Sequence, residues 1–210
     1  MSNQTPQDPR FKNKTFNTES IRHYLTDYSK KLEECLSSVA QEKLNAAALL
    51  MHEVRIKTGR VFVAGNGGSA AISEHLSCDW QKGVYLQNMN SLKVQCLTSN
   101  TSLLTAIAND YGYDQSFSYQ LELADLTKED LVLLISSSGN SDNIIKAAQF
   151  AKDKGCKVIG LTGFTGGKLK DLADVSLHIP FSNYGLVEDG HQVLMHVLAQ
   201  YHDIQNRKEP

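Results

Sequence analysis

Five short apolar runs, each separated from the next by a longer stretch of different character, constrain this chain most. The runs are RVFVAG (60–65), LKVQCL (92–97), DLVLLIS (130–136), KVIGLTG (157–163) and VSLHIP (175–180). Continuous rather than alternating apolar runs are typical of strands that are buried on both faces of a parallel sheet. Helical patterns lie between them, at 70–80, 102–108, 143–154 and 187–201. The alternation predicts an α/β fold, a doubly wound (flavodoxin-like) five-stranded parallel sheet flanked by helices.

An N-terminal extension precedes the first strand. Apolar residues recur at three- and four-residue spacings between 21 and 57, which predicts two helices or one long bent helix. Their apolar stripes can pack on the sheet or on a partner subunit. Residues 1–15 carry Pro6 and Pro9 and few large apolar side chains, so we expect a flexible arm there. With 210 residues, the chain fits one domain over 16–205 that includes the N-terminal helices.

The charge and the cysteine content indicate which classes of protein are excluded. The 21 Lys and Arg residues and 23 Asp and Glu residues give a net charge of −2, which argues against a general nucleic-acid or membrane-surface binder. Neither an 18-residue apolar run nor an apolar secretory signal is present in the sequence. The cysteines Cys35, Cys78, Cys96 and Cys156 form no C-x-x-C pair, so we expect reduced, buried thiols in a cytoplasmic protein.

Two loops that follow predicted strands have the character of a phosphate site. The first is Gly65-Asn66-Gly67-Gly68-Ser69, where glycines let the backbone approach a ligand and Ser69 can cap the next helix. The second, Ser136 to Ser141, offers four hydroxyls and free backbone N–H groups at a helix N-terminus. Each loop alone is compatible with an ordinary capping turn. Two of them after separate strands favour a phosphate monoester.

Histidines and carboxylates are grouped on two predicted helices. His75 and Asp79 lie one turn apart on the first, and Glu188, Asp189, His191 and His196 lie on the last. A histidine and a carboxylate from each helix can surround one divalent ion, or can serve as an acid and a base. The alternative is a set of solvated polar residues on helix surfaces.

Several longer segments carry a resemblance to a known family. The pieces GNGGSAA, AIANDYGYD, LLISSSGNSDNIIKAAQFAKDKGCKVIGLTG and EDGHQVLMH resemble the sugar isomerase (SIS) domain family, and its phosphoheptose isomerase branch in particular. The resemblance covers about 16–201. It implies an aldose–ketose isomerase that interconverts sedoheptulose 7-phosphate and D-glycero-D-manno-heptose 7-phosphate. Isomerisation of another phosphosugar, and a non-catalytic SIS protein that binds sugar phosphates for regulation, are the alternatives.

Positions carried over from the family give the expected site. The resemblance implies Zn²⁺ and a homotetramer whose subunits complete one another's sites. It places the metal on His75, Asp79, Glu188 and His196, with Asp79 and His196 as the catalytic pair. Two of these depart from the family pattern, because the family has Glu at position 79 and Gln at position 188. The implied contacts to the sugar phosphate are Asn66, Gly67, Gly68, Ser69, Asn109, Asp110, Ser136, Ser137, Ser138 and Ser141.

Overall fold

The computed structural model describes residues 16–83 and 92–206, so the predicted arm at 1–15 lies outside the described residues. Two separate helices come first, α1 (Ile21–Ser37) and α2 (Gln41–Ile56). The hydroxyl of Ser20 caps α1 by accepting a hydrogen bond from the backbone N–H of His23 at 3.2 Å. Of the two alternatives for this segment, two helices is therefore the correct one.

Among the described residues, five parallel strands form one sheet. They are β1 (Arg60–Gly65), β2 (Lys93–Cys96), β3 (Leu131–Ser136), β4 (Lys157–Thr162) and β5 (Val175–His178). Their spatial order is β2-β1-β3-β4-β5, and every neighbouring pair is parallel. Each strand falls inside a predicted run, and the order is that of a flavodoxin-like sheet, so the predicted fold is confirmed. The strand order reverses between β1 and β3, the place where such sheets bind ligands.

In the part of the chain that the structure describes, six further α-helices connect and cover the strands. They are α3 (Gly68–Cys78), α4 (Thr101–Tyr111), α5 (Ser118–Leu123), α6 (Asp142–Asp153), α7 (Gly167–Leu172) and α8 (Tyr184–Asn206). A π-helical turn, Asp79–Gly83, extends α3. The sequence does not predict α5 and α7, since six residues are too few for a helical period to stand out.

The sheet separates two apolar layers. Val61 and Val63 of β1 belong to the layer that contains buried residues of α1, α2, α3 and α8. Phe62 and Ala64 point the other way, into the layer built from α5, α6 and α7. All four side chains are completely buried. Burial on both faces is the physical reason for the continuous apolar runs of the sequence.

The four cysteines are free thiols, as expected, but only three are buried. Cys78 is exposed, so the expectation of burial is wrong there: it occupies the last position of α3, where the helix turns its side chain to solvent. Burial raises the pKa of the Cys35 thiol to about 11 and that of Cys156 to about 12, which keeps both thiols protonated and unreactive. Within 16–83 and 92–206, no helix combines the length and the apolar composition that crossing a bilayer requires.

Candidate active site

A cleft opens beside β1 and β3, where the strand order of the sheet reverses. β1 and β3 are paired side by side, so the two loops that follow them meet at one edge of the sheet. The cleft between these loops has a volume of about 170 Å³. It is lined by Asn66, Ser69, Ile135, Ser136, Ser137, Ser138, Ser141, Tyr184 and Glu188. Six of these were expected to contact a sugar phosphate.

Two serines of the second loop have hydroxyls that make no capping hydrogen bond. Ser141 is the N-cap residue of α6, yet its side chain makes no capping hydrogen bond. The Ser137 hydroxyl is buried and has no hydrogen-bond partner among the described residues. In contrast, the Ser136 hydroxyl accepts from the backbone N–H of Gly139 at 3.1 Å. A buried hydroxyl without a partner is costly unless a ligand satisfies it, which favours an anion here over an ordinary turn.

The first loop starts its helix earlier than expected. Gly67, at a φ of +57°, is the N-cap of α3, so the helix begins at Gly68 and Ser69 is not a cap. Ser69 is instead buried and lines the cleft. The absence of a side chain at Gly68 makes room for the neighbouring helix, because a Cβ there would lie 2.6 Å from Oε2 of Glu188.

Asn66 is held in place by two residues that the sequence reasoning missed. Its amide pairs reciprocally with that of Asn143, at 2.9 and 3.0 Å, and its Oδ1 also accepts from the hydroxyl of Tyr113 at 2.7 Å. Asn143 is buried in the first turn of α6 and also donates to the Ser116 hydroxyl at 3.2 Å. The sequence feature that could have identified Asn143 is its position just after the serine loop.

A second group of polar side chains joins α3 to α8. Oδ2 of Asp79 lies 3.4 Å from Nε2 of His75 and 3.4 Å from Nε2 of His196. The two imidazole rings meet edge to face, with centroids 5.0 Å apart. The structure thus brings together three of the four predicted metal positions, with ligand atoms within 4.8 Å of one another. Two imidazoles and one carboxylate are a donor set that suits catalytic zinc and leaves a position open for a ligand.

The other polar residues of α8 have different surroundings. Glu188 lines the serine cleft rather than joining the three-residue group, and burial, with the nearby charge of Asp189, raises the pKa of its carboxyl. Asp189 accepts a hydrogen bond from the Tyr28 hydroxyl at 2.7 Å. His191 is completely buried, and burial lowers its pKa to about 4. A role for Glu188 as a zinc ligand stays a prediction.

Asn109 and Asp110 are not among the residues that line the cleft. Both are exposed near the C-terminal end of α4, where the Asn109 amide donates to Oδ1 of Asp110 at 2.8 Å. Neither lines the serine cleft of its own chain. Their contact with substrate stays a prediction.

Comparison with known proteins shows which family has this fold. The family model described as SIS domain matches residues 23–163, from α1 to the end of β4. A phosphoheptose isomerase of Aliarcobacter butzleri is 41% identical over 163 residues, which are 78% of this chain and 85% of that protein. The chain belongs to the phosphoheptose isomerase family of SIS-domain proteins. A relative with the same name in Helicobacter pylori strain P12 is 38% identical over 172 residues, 82% of this chain and 88% of its own length.

Solved structures of family members have the same architecture. The phosphoheptose isomerase of Neisseria gonorrhoeae superimposes with a TM-score of 0.79 at 31% sequence identity, covering 88% of this chain and 99% of that chain. The family model ends at residue 163. The structural match covers more of the chain, and the similarity of fold therefore includes α8. That helix carries Glu188, Gln192 and His196.

Proposed function

We propose that the protein is an aldose–ketose isomerase that interconverts sedoheptulose 7-phosphate and D-glycero-D-manno-heptose 7-phosphate. The observation that carries the proposal is the pairing of a serine-lined cleft with an acid–base group on the same two helices. Ser69 and Glu188 line the cleft, and His75, Asp79 and His196 form the group. Membership of the phosphoheptose isomerase family supports the choice of a heptose.

The cleft binds the phosphate group. The Ser137 and Ser141 hydroxyls donate to phosphate oxygens, and the start of α6 adds the positive end of the helix dipole. Asn66, fixed by Asn143 and Tyr113, keeps the loop after β1 in register with the loop after β3. The sugar chain then extends from the cleft past Glu188.

The reaction moves a proton between C1 and C2 through a cis-enediolate, which requires a base beside the carbons and a group that handles the hydroxyl proton. Asp79 is the base in our proposal. Its Oδ2 faces both imidazoles, so its second oxygen can take the proton from carbon. His196, on the opposite helix, exchanges the proton with the substrate oxygen when its Nε2 is not bound to a metal ion. Asp is one methylene shorter than the family's Glu, so the substrate must approach closer to α3.

Zinc is the metal we propose for this site. His75, Asp79 and His196 would hold it, with Glu188 as a candidate fourth ligand. When bound, the ion supplies a Lewis acid that stabilises negative charge on the substrate oxygens. The donor set fits such an ion, since imidazole and carboxylate are both common zinc ligands.

We further propose a homotetramer in the cytoplasm. Large apolar side chains are exposed on α1, α2 and α8, among them Ile21, Leu49 and Tyr201. They support an assembly in which α1, α2 and α8 meet partner chains. The free thiols support a reducing compartment. The net charge of −2 gives no reason to add a nucleic-acid or membrane partner.

The test is a substrate panel. Purified protein loaded with zinc is assayed on pentose, hexose and heptose phosphates, with chelated protein and His75→Ala as controls. We expect the highest kcat/KM on sedoheptulose 7-phosphate and loss of turnover in both controls. A higher kcat/KM on a shorter sugar phosphate would identify a different phosphosugar isomerase. Binding of sugar phosphate without turnover would identify a regulatory protein.

A further inference from the structure

One polar side chain touches the His75, Asp79 and His196 group without belonging to the expected zinc set. Gln192 lies on α8, one turn after Glu188 and one turn before His196. The nitrogen of its side-chain amide, Nε2, is 3.0 Å from Nδ1 of His75, across the gap between α8 and α3. The same nitrogen is 3.5 Å from Nε2 of His196.

The position of Gln192 bears on the protonation of His75. The Nε2 atom of His75 faces Asp79, and Nδ1 faces Gln192. A neutral imidazole binds a metal through the lone pair of one nitrogen and carries its proton on the other. A metal held between His75, Asp79 and His196 requires the lone pair on Nε2. The proton must then be on Nδ1, where Gln192 is the neighbour.

We propose that Gln192 is a positioning residue that stabilises the Nδ1–H tautomer of His75 and so prepares Nε2 to bind the metal. A carboxamide carries a donor and an acceptor, and a half-turn about its last bond exchanges them. With the oxygen towards His75, Gln192 accepts from Nδ1–H. With the nitrogen towards His75, which is the orientation in this structure, it donates to Nδ1, and the proton sits on Nε2 beside Asp79. One side chain therefore satisfies the ring with and without metal.

The inference rests on the metal site of the proposed function. It predicts different zinc affinities for two substitutions of Gln192. Gln192→Met keeps the length of the side chain and removes both the donor and the acceptor. Loss of a partner of this kind costs about 10- to 100-fold in metal affinity. Gln192→Glu keeps an acceptor for Nδ1–H, so its zinc affinity should stay at or above that of the unmodified protein.

The experiment measures zinc affinity of the full chain by competition with a chromophoric chelator. It also reads the His75 tautomer from ¹⁵N imidazole shifts, with the His75 signals assigned by their loss in His75→Ala. We expect Nδ1–H in the zinc-loaded protein and in Gln192→Glu, and a weaker zinc affinity in Gln192→Met. Gln200→Met, an exposed change on the same helix, is the matched control and should change neither reading.

The outcomes separate this inference from the proposed function. If His75→Ala weakens zinc binding while Gln192→Met does not, or if His75 carries its proton on Nε2 in the loaded protein, the positioning role is overturned. If His75→Ala binds zinc like the unmodified protein, the metal site and the inference both fail. If the affinities follow the expected order and sedoheptulose 7-phosphate is not turned over, the inference stands and the proposed function fails.

Discussion

At the scale of single residues, some polar side chains of the site already have a hydrogen-bond partner within the protein, and others have none. Ser136 and Ser137 are neighbours, and both are buried. The Ser136 hydroxyl accepts from the backbone within its own loop, whereas that of Ser137 has no hydrogen-bond partner among the described residues. The same substitution at the two positions should therefore affect different properties.

Ser137→Ala should weaken substrate binding and leave stability nearly unchanged, because it removes a hydroxyl that makes no bond in the free protein. Loss of a hydrogen bond to a charged phosphate costs about 1.5–3 kcal/mol, which is roughly a 10- to 100-fold rise in KM. Ser136→Ala is the matched control and should lower the free energy of unfolding by about 1 kcal/mol. Steady-state kinetics and denaturant unfolding measure the two effects. An unchanged KM in Ser137→Ala would mean that the loop does not hold the phosphate.

Asp79→Asn separates proton transfer from metal binding. The change keeps the size of the side chain and an oxygen ligand but removes the basic carboxylate. If Asp79 is the base, kcat should fall by about 10²- to 10⁴-fold with little change in KM. If its main role is as a ligand, zinc content should fall and added zinc should restore part of the activity. Full activity without added zinc would exclude Asp79 from the mechanism.

At the scale of helices and strands, α8 combines structural and chemical roles by turning different faces to different neighbours. Glu188, Gln192 and His196 follow one another at four-residue steps and face the site. His191 lies on the buried face, near Thr162 and His178 of the sheet. Because His191 is buried in its neutral form, the stability of the packed helix depends on pH.

The stability of the fold should fall between pH 6.5 and pH 4 in a way that depends on His191. Burial lowers its pKa to about 4, so the unfolded chain binds a proton in this range and the folded chain does not. The contribution is complete above pH 6.5 and decreases by up to about 1.4 kcal/mol per pH unit on acidification. Denaturant unfolding at several pH values should show a shallower slope for His191→Met. An identical slope in both proteins would contradict the assignment.

The elements themselves could largely be read from the sequence, because burial on both faces of the sheet leaves a continuous apolar signal. The runs at 60–65 and 157–163, for example, contain β1 and β4. The π-helical turn at Asp79–Gly83 leaves no comparable signal, although it carries a predicted site residue. Gln192 and Asn143 were missed for a different reason. Their roles arise from contacts with residues 117 and 77 positions away, which no local pattern records.

At the scale of the whole molecule, apolar residues remain uncovered on one side of the sheet. Leu49 of α2 and Tyr201 of α8 are more than half exposed and line a cleft of about 500 Å³ between these helices. Ile21 and Leu25 of α1 are also exposed. Exposed apolar side chains on neighbouring helices are typical of a surface that is covered in an assembly. Association of four chains would bury them.

Leu49→Glu should therefore dissociate the assembly. Light scattering at micromolar concentration should give the mass of four chains for the unmodified protein and a smaller mass for the variant. A carboxylate placed in a closed symmetric interface is buried once in every copy, so its desolvation cost is multiplied. Gln149→Glu, an exposed change on α6 across the sheet, is the control and should keep the mass. If sites are shared between subunits, activity should fall together with mass in Leu49→Glu. A monomeric unmodified protein would contradict the tetramer, and a dissociated variant with full activity would show that each chain completes its own site.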